Sequence, residues 1–186
     1  NSAATTITLG NATFNNVENA SGMFENTKAT TITMPKATFN NVENASGMFK
    51  NTQAATISMP EATFSSTTDF SNMFNNTTNA SKIDLSSLQL TVAEDLSNMF
   101  KNTYASEIIF NTNNNIGGTH ITNMSEMFNG AQHVTSLNLG SITTGELTSI
   151  KYMFRDNNQL TALTLPRIFN TSQVEDFSWL FAYTIN

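Results

Sequence analysis

The string ATFNNVENASGMF runs from Ala12 to Phe24 and returns unchanged from Ala37 to Phe49. A unit of 25 residues cannot bury an apolar face by itself, so the repeat commits the chain to a stack of small copies. The Met-Phe pair tracks those copies: Met23-Phe24, Met48-Phe49, Met73-Phe74, Met99-Phe100, Met127-Phe128, Met153-Phe154, and a degenerate Leu180-Phe181. Seven repeats are expected in one solenoid spanning 1–186, at approximately 4–28, 29–53, 54–79, 80–104, 105–133, 134–159 and 160–186.

Each copy carries an apolar trio: Ala4, Ile7, Leu9; Ala29, Ile32, Met34; Ala54, Ile57, Met59; Ala80, Ile83, Leu85; Ala105, Ile108, Phe110; Val134, Leu137, Leu139; Leu160, Leu163, Leu165. The last two members of each trio are two residues apart, and in an extended chain that spacing sends both to one face. The reading is a single parallel sheet of seven short strands, at Thr6 to Leu9, Thr31 to Met34, Thr56 to Met59, Lys82 to Leu85, Glu107 to Phe110, Ser136 to Leu139 and Ala162 to Leu165. Further along copies one, two and five the apolar steps become three, three and one, as in Val42, Ala45, Met48 and Phe49, which predicts one side of a short helical turn. Asn19, Asn44, Asp69, Asp95, Asn123, Ser149 and Asp176 precede these turns as N-cap candidates, and Asn123 with Glu126 suggests a capping box. Asn26, Asn51, Asn76, Asn102 and Gly130 follow the Phe where a residue tolerant of positive φ ends the turn. The extra apolar residues Leu88 and Leu90, and the loop from Asn111 to His120 with Gly117-Gly118, are expected to bulge on one side.

Composition narrows the function. Asn, Ser and Thr fill 74 of 186 positions and only 12% of residues are charged, so the surface is rich in hydroxyl and amide groups. Eight cations against 14 carboxylates leave a net charge of −6, with no basic stripe for phosphates, and no apolar run is long enough to cross a bilayer. Nucleic-acid binding and membrane insertion are not expected. No cysteine is present for a disulfide, a thiolate metal site or a nucleophile. His120 and His133 have no catalytic motif around them, and Glu18, Glu43, Glu94, Asp95, Glu175 and Asp176 read as turn caps rather than a calcium loop. The expectation is a non-enzyme without metal or cofactor. No signal peptide opens the sequence, as expected of a mature form or a fragment.

The trio resembles the signature of leucine-rich repeats. The tetrapeptides Ser-Gly-Met-Phe, Ser-Asn-Met-Phe and Ser-Glu-Met-Phe resemble those in the 25- to 26-residue repeats of BspA-like bacterial surface proteins of mycoplasmas and lactic acid bacteria. The resemblance implies a leucine-rich-repeat solenoid, with a parallel β-sheet on one face and short helical turns on the other. It also implies an extracellular or cell-surface location and adhesion through protein or glycan contact. The outward strand residues are then the candidate binding face: Thr6, Thr8, Thr31, Thr33, Thr56, Ser58, Lys82, Asp84, Glu107, Ile109, Ser136 and Asn138. A host or neighbouring-cell glycoprotein or glycan is the expected partner. The alternative partner is a second copy of the chain, through ends that look uncapped at Trp179, Leu180, Phe181, Tyr183 and Ile185, giving a head-to-tail filament. The Thr/Ser grid of the first three strands, Thr-x-Thr on two and Thr-x-Ser on the third, also suits ice binding as a minor alternative.

Overall fold

The computed structural model describes residues 4–111 and 115–184; of the sequence-based expectations, residues 112–114 of the long loop and the candidate contact Ile185 lie outside them. The chain coils into a parallel-strand β-solenoid. Its strands are β1 (Thr6–Thr8), β2 (Thr31–Thr33), β3 (Thr56–Ser58), β4 (Lys82–Leu85), β5 (Glu107–Phe110), β6 (Ser136–Asn138), β7 (Thr143–Thr144), β8 (Ala162–Thr164) and β9 (Ile168–Phe169). Every pairing is parallel, and equivalent residues of successive copies lie side by side, as in Ile7, Ile32 and Ile57.

The expected single seven-stranded sheet is not formed. β1 to β5 make one sheet, while β6 pairs only with β8 and β7 only with β9. The ladder stops between β5 and β6, where the Met-Phe spacing stretches to 28 residues. The long loop does not simply bulge. It feeds a second ladder in which Gly117 bridges Leu90 on one side and Ile142 on the other, and Leu88, Leu90 and Ile116 are buried beneath it. Gly117 has φ 95°, and a Cβ there would stand 2.8 Å from the backbone nitrogen of Thr91, so glycine is required for the close approach.

Nor are the turns helical: among the described residues there is no α-helix. Each Met-Phe segment is a run of three linked tight turns. In the second copy the N–H groups of Met48, Lys50 and Thr52 donate to the carbonyls of Ala45, Gly47 and Phe49, three residues back. The alternate N–H groups of Ala45, Gly47, Phe49 and Asn51 donate instead to Asp69, Ser71, Met73 and Asn75 of the next copy, at 2.8 to 2.9 Å. An α-helix would direct all of them to the fourth residue back and leave neighbouring turns unbonded. Left-handed residues fall twice per segment, at Gly47 (φ 59°) and Asn51 (φ 56°), and prevent helix propagation.

The Asn and Asp cap candidates accept a backbone N–H as Asx turns: Oδ1 of Asn44 takes the Ser46 N–H at 2.8 Å, and Asp69 and Asp95 do the same for Ser71 and Ser97. The capping box is absent, because Glu126 turns away from Asn123 and accepts from Lys101 and Asn129.

One core runs the length of the coil. The strand pairs Ile32 and Met34, Ile57 and Met59, Ile83 and Leu85, Ile108 and Phe110, and Leu137 and Leu139 are buried in it. Phe24, Phe49, Phe74, Phe100, Phe128, Phe154 and Phe181 form a continuous stack with ring centroids 5.2 to 5.7 Å apart. A second stack, Phe14, Phe39 and Phe64, has spacings of 4.7 and 4.8 Å. Both spacings follow the separation of parallel strands, roughly 4.8 Å, which is why the rings lie face on face rather than in the T-shape common elsewhere. From β1 to β8 the chain makes about six turns rather than seven full repeats, since the last copy packs on one neighbour only and leaves Leu165, Ile168 and Phe181 exposed.

Candidate binding face

The strand face is built by register. Side chains at alternate positions of β1 to β5 point outward while their neighbours fill the core. One outer row runs Thr6, Thr31, Thr56 and a second runs Thr8, Thr33, Ser58, Asp84, Ile109. The hydroxyl of Thr33 reaches that of Thr8 at 3.1 Å, so the grid is partly linked from turn to turn. It changes character at β4. Lys82 stands 3.6 Å from Glu107, its in-register neighbour, and 3.8 Å from Asp84. These are exposed ion pairs of small energetic weight, with one lysine shared between two carboxylates. Ten of the twelve expected face residues are thus brought onto one five-stranded surface, whereas Ser136 and Asn138 sit on the separate β6–β8 ladder.

The expected end residues lie on the last described turn. Trp179, Phe181 and Tyr183 are exposed, and Leu180 is half-buried against the core. Sequence reasoning missed two features of the same copy: Phe177 and Ile168 are also exposed, and the Arg155 guanidinium of the preceding turn lies over the rings of Tyr152, Trp179 and Tyr183 at 5.4, 5.6 and 5.8 Å. Lys151 and Asp176 pair nearby at 3.3 Å, an attraction that raises the lysine pKa and, behind the Ser178 hydrogen bonds, helps lower that of the aspartate.

Also missed was Tyr104, which is 56% exposed and lies against His133 with ring centroids 4.6 Å apart. Its signal in the sequence is positional: it stands three residues before β5, as His133 stands three before β6. The other histidine, His120, faces Glu146 at 3.7 Å. Among the described residues no group of three or more His, Cys, Asp or Glu side chains is placed to hold a metal ion.

A parallel coil with one continuous core and repeated side-chain rows defines a solenoid repeat protein. The chain belongs to the family described as "Mycoplasma protein of unknown function, DUF285", which matches residues 2–62, 18–116 and 94–186. The overlapping matches follow the repeat, so this is a repeat protein of mycoplasma type. No curated protein and no solved structure matches it.

Proposed function

We propose that the protein is a non-catalytic repeat module of the BspA-like leucine-rich-repeat type, exposed outside the cell, that binds host or neighbouring-cell glycoproteins or glycans through the face of β1 to β5. The observation that carries this reading is the register of the outer rows. Hydroxyl groups recur at one strand spacing across a rigid surface, so they can meet a partner's hydroxyl and amide groups without the cost of ordering flexible loops. Recognition of this kind is polar and weak per contact, and gains strength from repetition along the face. The test replaces Thr33 and Ser58 together by Glu and measures binding to immobilised mucin. Loss of about tenfold or more, with unchanged melting, supports the reading; mucin binding equal to that of the parent overturns it.

A second reading is self-association through the last described turn, favoured by the exposure of Trp179, Phe181 and Tyr183. Light scattering and electron microscopy of the purified chain test it. Ordered polymers that disappear in Trp179→Glu, which would bury an unpaired charge in the contact, support it; a monomer at high concentration excludes it.

A further inference from the structure

We infer that Tyr104 and His133 form a stacking platform for a neutral pyranose ring, and that this is where a bound glycan is anchored beside the strand face. The inference rests on the binding role proposed above and gives it a ligand class and a centre.

Four observations lead to it. Tyr104 is 56% exposed, and the other exposed large aromatic side chains among the described residues, Phe177, Trp179, Phe181 and Tyr183, all lie on the last turn. Its exposure in mid-coil therefore owes nothing to an unfinished stack. Its backbone is fixed, with the Tyr104 N–H donating to the Thr77 carbonyl at 3.0 Å and the adjoining Ala105 fully buried, and His133 packs against the ring from the next turn at a 41° tilt. The pair also spans the junction from β5 to β6, where no strand ladder joins the described residues.

The surroundings supply the polar half of a sugar site. The equivalent positions three residues before the neighbouring strands hold Gln53, Asn79 and Gln159, all exposed. Ser106 precedes β5, Glu107 opens it, and Ser136 begins β6. A pyranose presents a C–H face, which packs on an aromatic ring, and a rim of hydroxyls, which amide and hydroxyl side chains satisfy. An exposed ring bordered by such groups on a sparsely charged surface matches both halves. Lys82, the cation beside these groups, is already paired with Glu107 at 3.6 Å and Asp84 at 3.8 Å, which leaves it little attraction for a phosphate or other strong anion.

The experiment is saturation-transfer NMR on the full chain with lactose, N,N′-diacetylchitobiose and maltose as probes, with chemical shifts followed on the protein. Transfer to the sugar ring protons is expected for at least one probe, together with shifts at Tyr104 and His133. Tyr104→Ala should weaken binding about tenfold or more, and Tyr104→Phe should retain it, because the ring and not the hydroxyl makes the contact. If the pair only clamps two turns together, Tyr104→Ala will lower the melting temperature without changing sugar affinity, and the inference falls. It falls equally if no probe shows transfer, or if shifts are confined to the Thr8, Thr33, Ser58 row and Tyr104→Ala binds like the parent, an outcome that leaves the strand-face reading standing. Transfer that Tyr104→Ala removes, combined with full mucin binding by the Thr33 and Ser58 variant, keeps the platform and removes the strand face.

Discussion

Asn157 is fully buried, yet neither its Oδ1 nor its Nδ2 has a hydrogen-bond partner, and an orphaned buried amide costs about 1–3 kcal/mol. The equivalent positions in other turns show what the site suits. Thr77 donates from its hydroxyl to the Phe74 carbonyl and meets the hydroxyl of Thr103 at 2.7 Å, whereas the residue below Asn157 is Ala131, which offers no partner. Asn157→Thr should therefore stabilise the protein, since the new hydroxyl can donate to the Phe154 carbonyl three residues back. A rise of a few degrees in melting temperature is expected, and a fall would show that Asn157 makes a compensating contact. Glu126 supplies a second residue-scale prediction. Burial acts to raise its pKa, but hydrogen bonds from Lys101 and Asn129 and the charges of Lys101 and Arg155 outweigh that and hold it below the ordinary value of 4.5. A carboxyl depressed in the folded state stabilises the fold above its unfolded pKa, and that contribution is lost as pH falls through the folded value. Melting temperature should drop as pH falls below 4.5, and Glu126→Gln should flatten part of the drop; identical pH profiles for parent and variant would exclude the linkage.

At the scale of the element, the Met-Phe segment draws its stability from both stacking and turn bonding, and the two are separable. Phe74 is fully buried between Phe49 and Phe100, with centroid distances of 5.2 and 5.4 Å. Phe74→Ala opens a cavity in the middle of the stack and should cost about 3–5 kcal/mol, which corresponds to at least about 6 °C of melting temperature for a chain of this size. Asn44→Ala removes only the bonds to the Ser46 N–H and hydroxyl and should cost about 1 kcal/mol. Thermal unfolding followed by circular dichroism checks both, and equal shifts would mean that the stack is not the dominant contribution. The same spectra should lack the helical double minimum, because the segment's N–H groups bond to three-residue turns and to the next copy.

For the whole molecule, each turn is supported only by its two neighbours, so stability is greatest where both are present. The first turn leaves Ile7, Leu9, Phe14 and Val17 half-buried, and the last leaves Leu160, Leu163 and Leu180 half-buried, while the equivalent residues between them are buried. Hydrogen exchange should follow this gradient, slowest in the turns of β2 to β4 and faster toward residues 4–27 and 160–184. Uniform protection along the chain would instead mean that the coil opens only as a whole.

The sequence by itself determined the period, the inward pair of each strand, the phase of the long phenylalanine stack and the positions of positive φ at Asn26, Asn51, Asn76, Asn102 and Gly130. All of these follow from side-chain chemistry repeated at fixed intervals. It did not distinguish a helical turn from three linked turns, because Val42, Ala45, Met48 and Phe49 point inward in either case. What separates the two is where alternate N–H groups find acceptors, and those acceptors belong to the next copy. The Phe14, Phe39 and Phe64 stack was visible as a repeat, but only stacking at one strand spacing gave it a role. The break between β5 and β6, the ladder through Gly117, and the meeting of Tyr104 with His133 were likewise settled by how neighbouring turns seat on one another. Those contacts join residues more than 20 positions apart, beyond the reach of any local pattern.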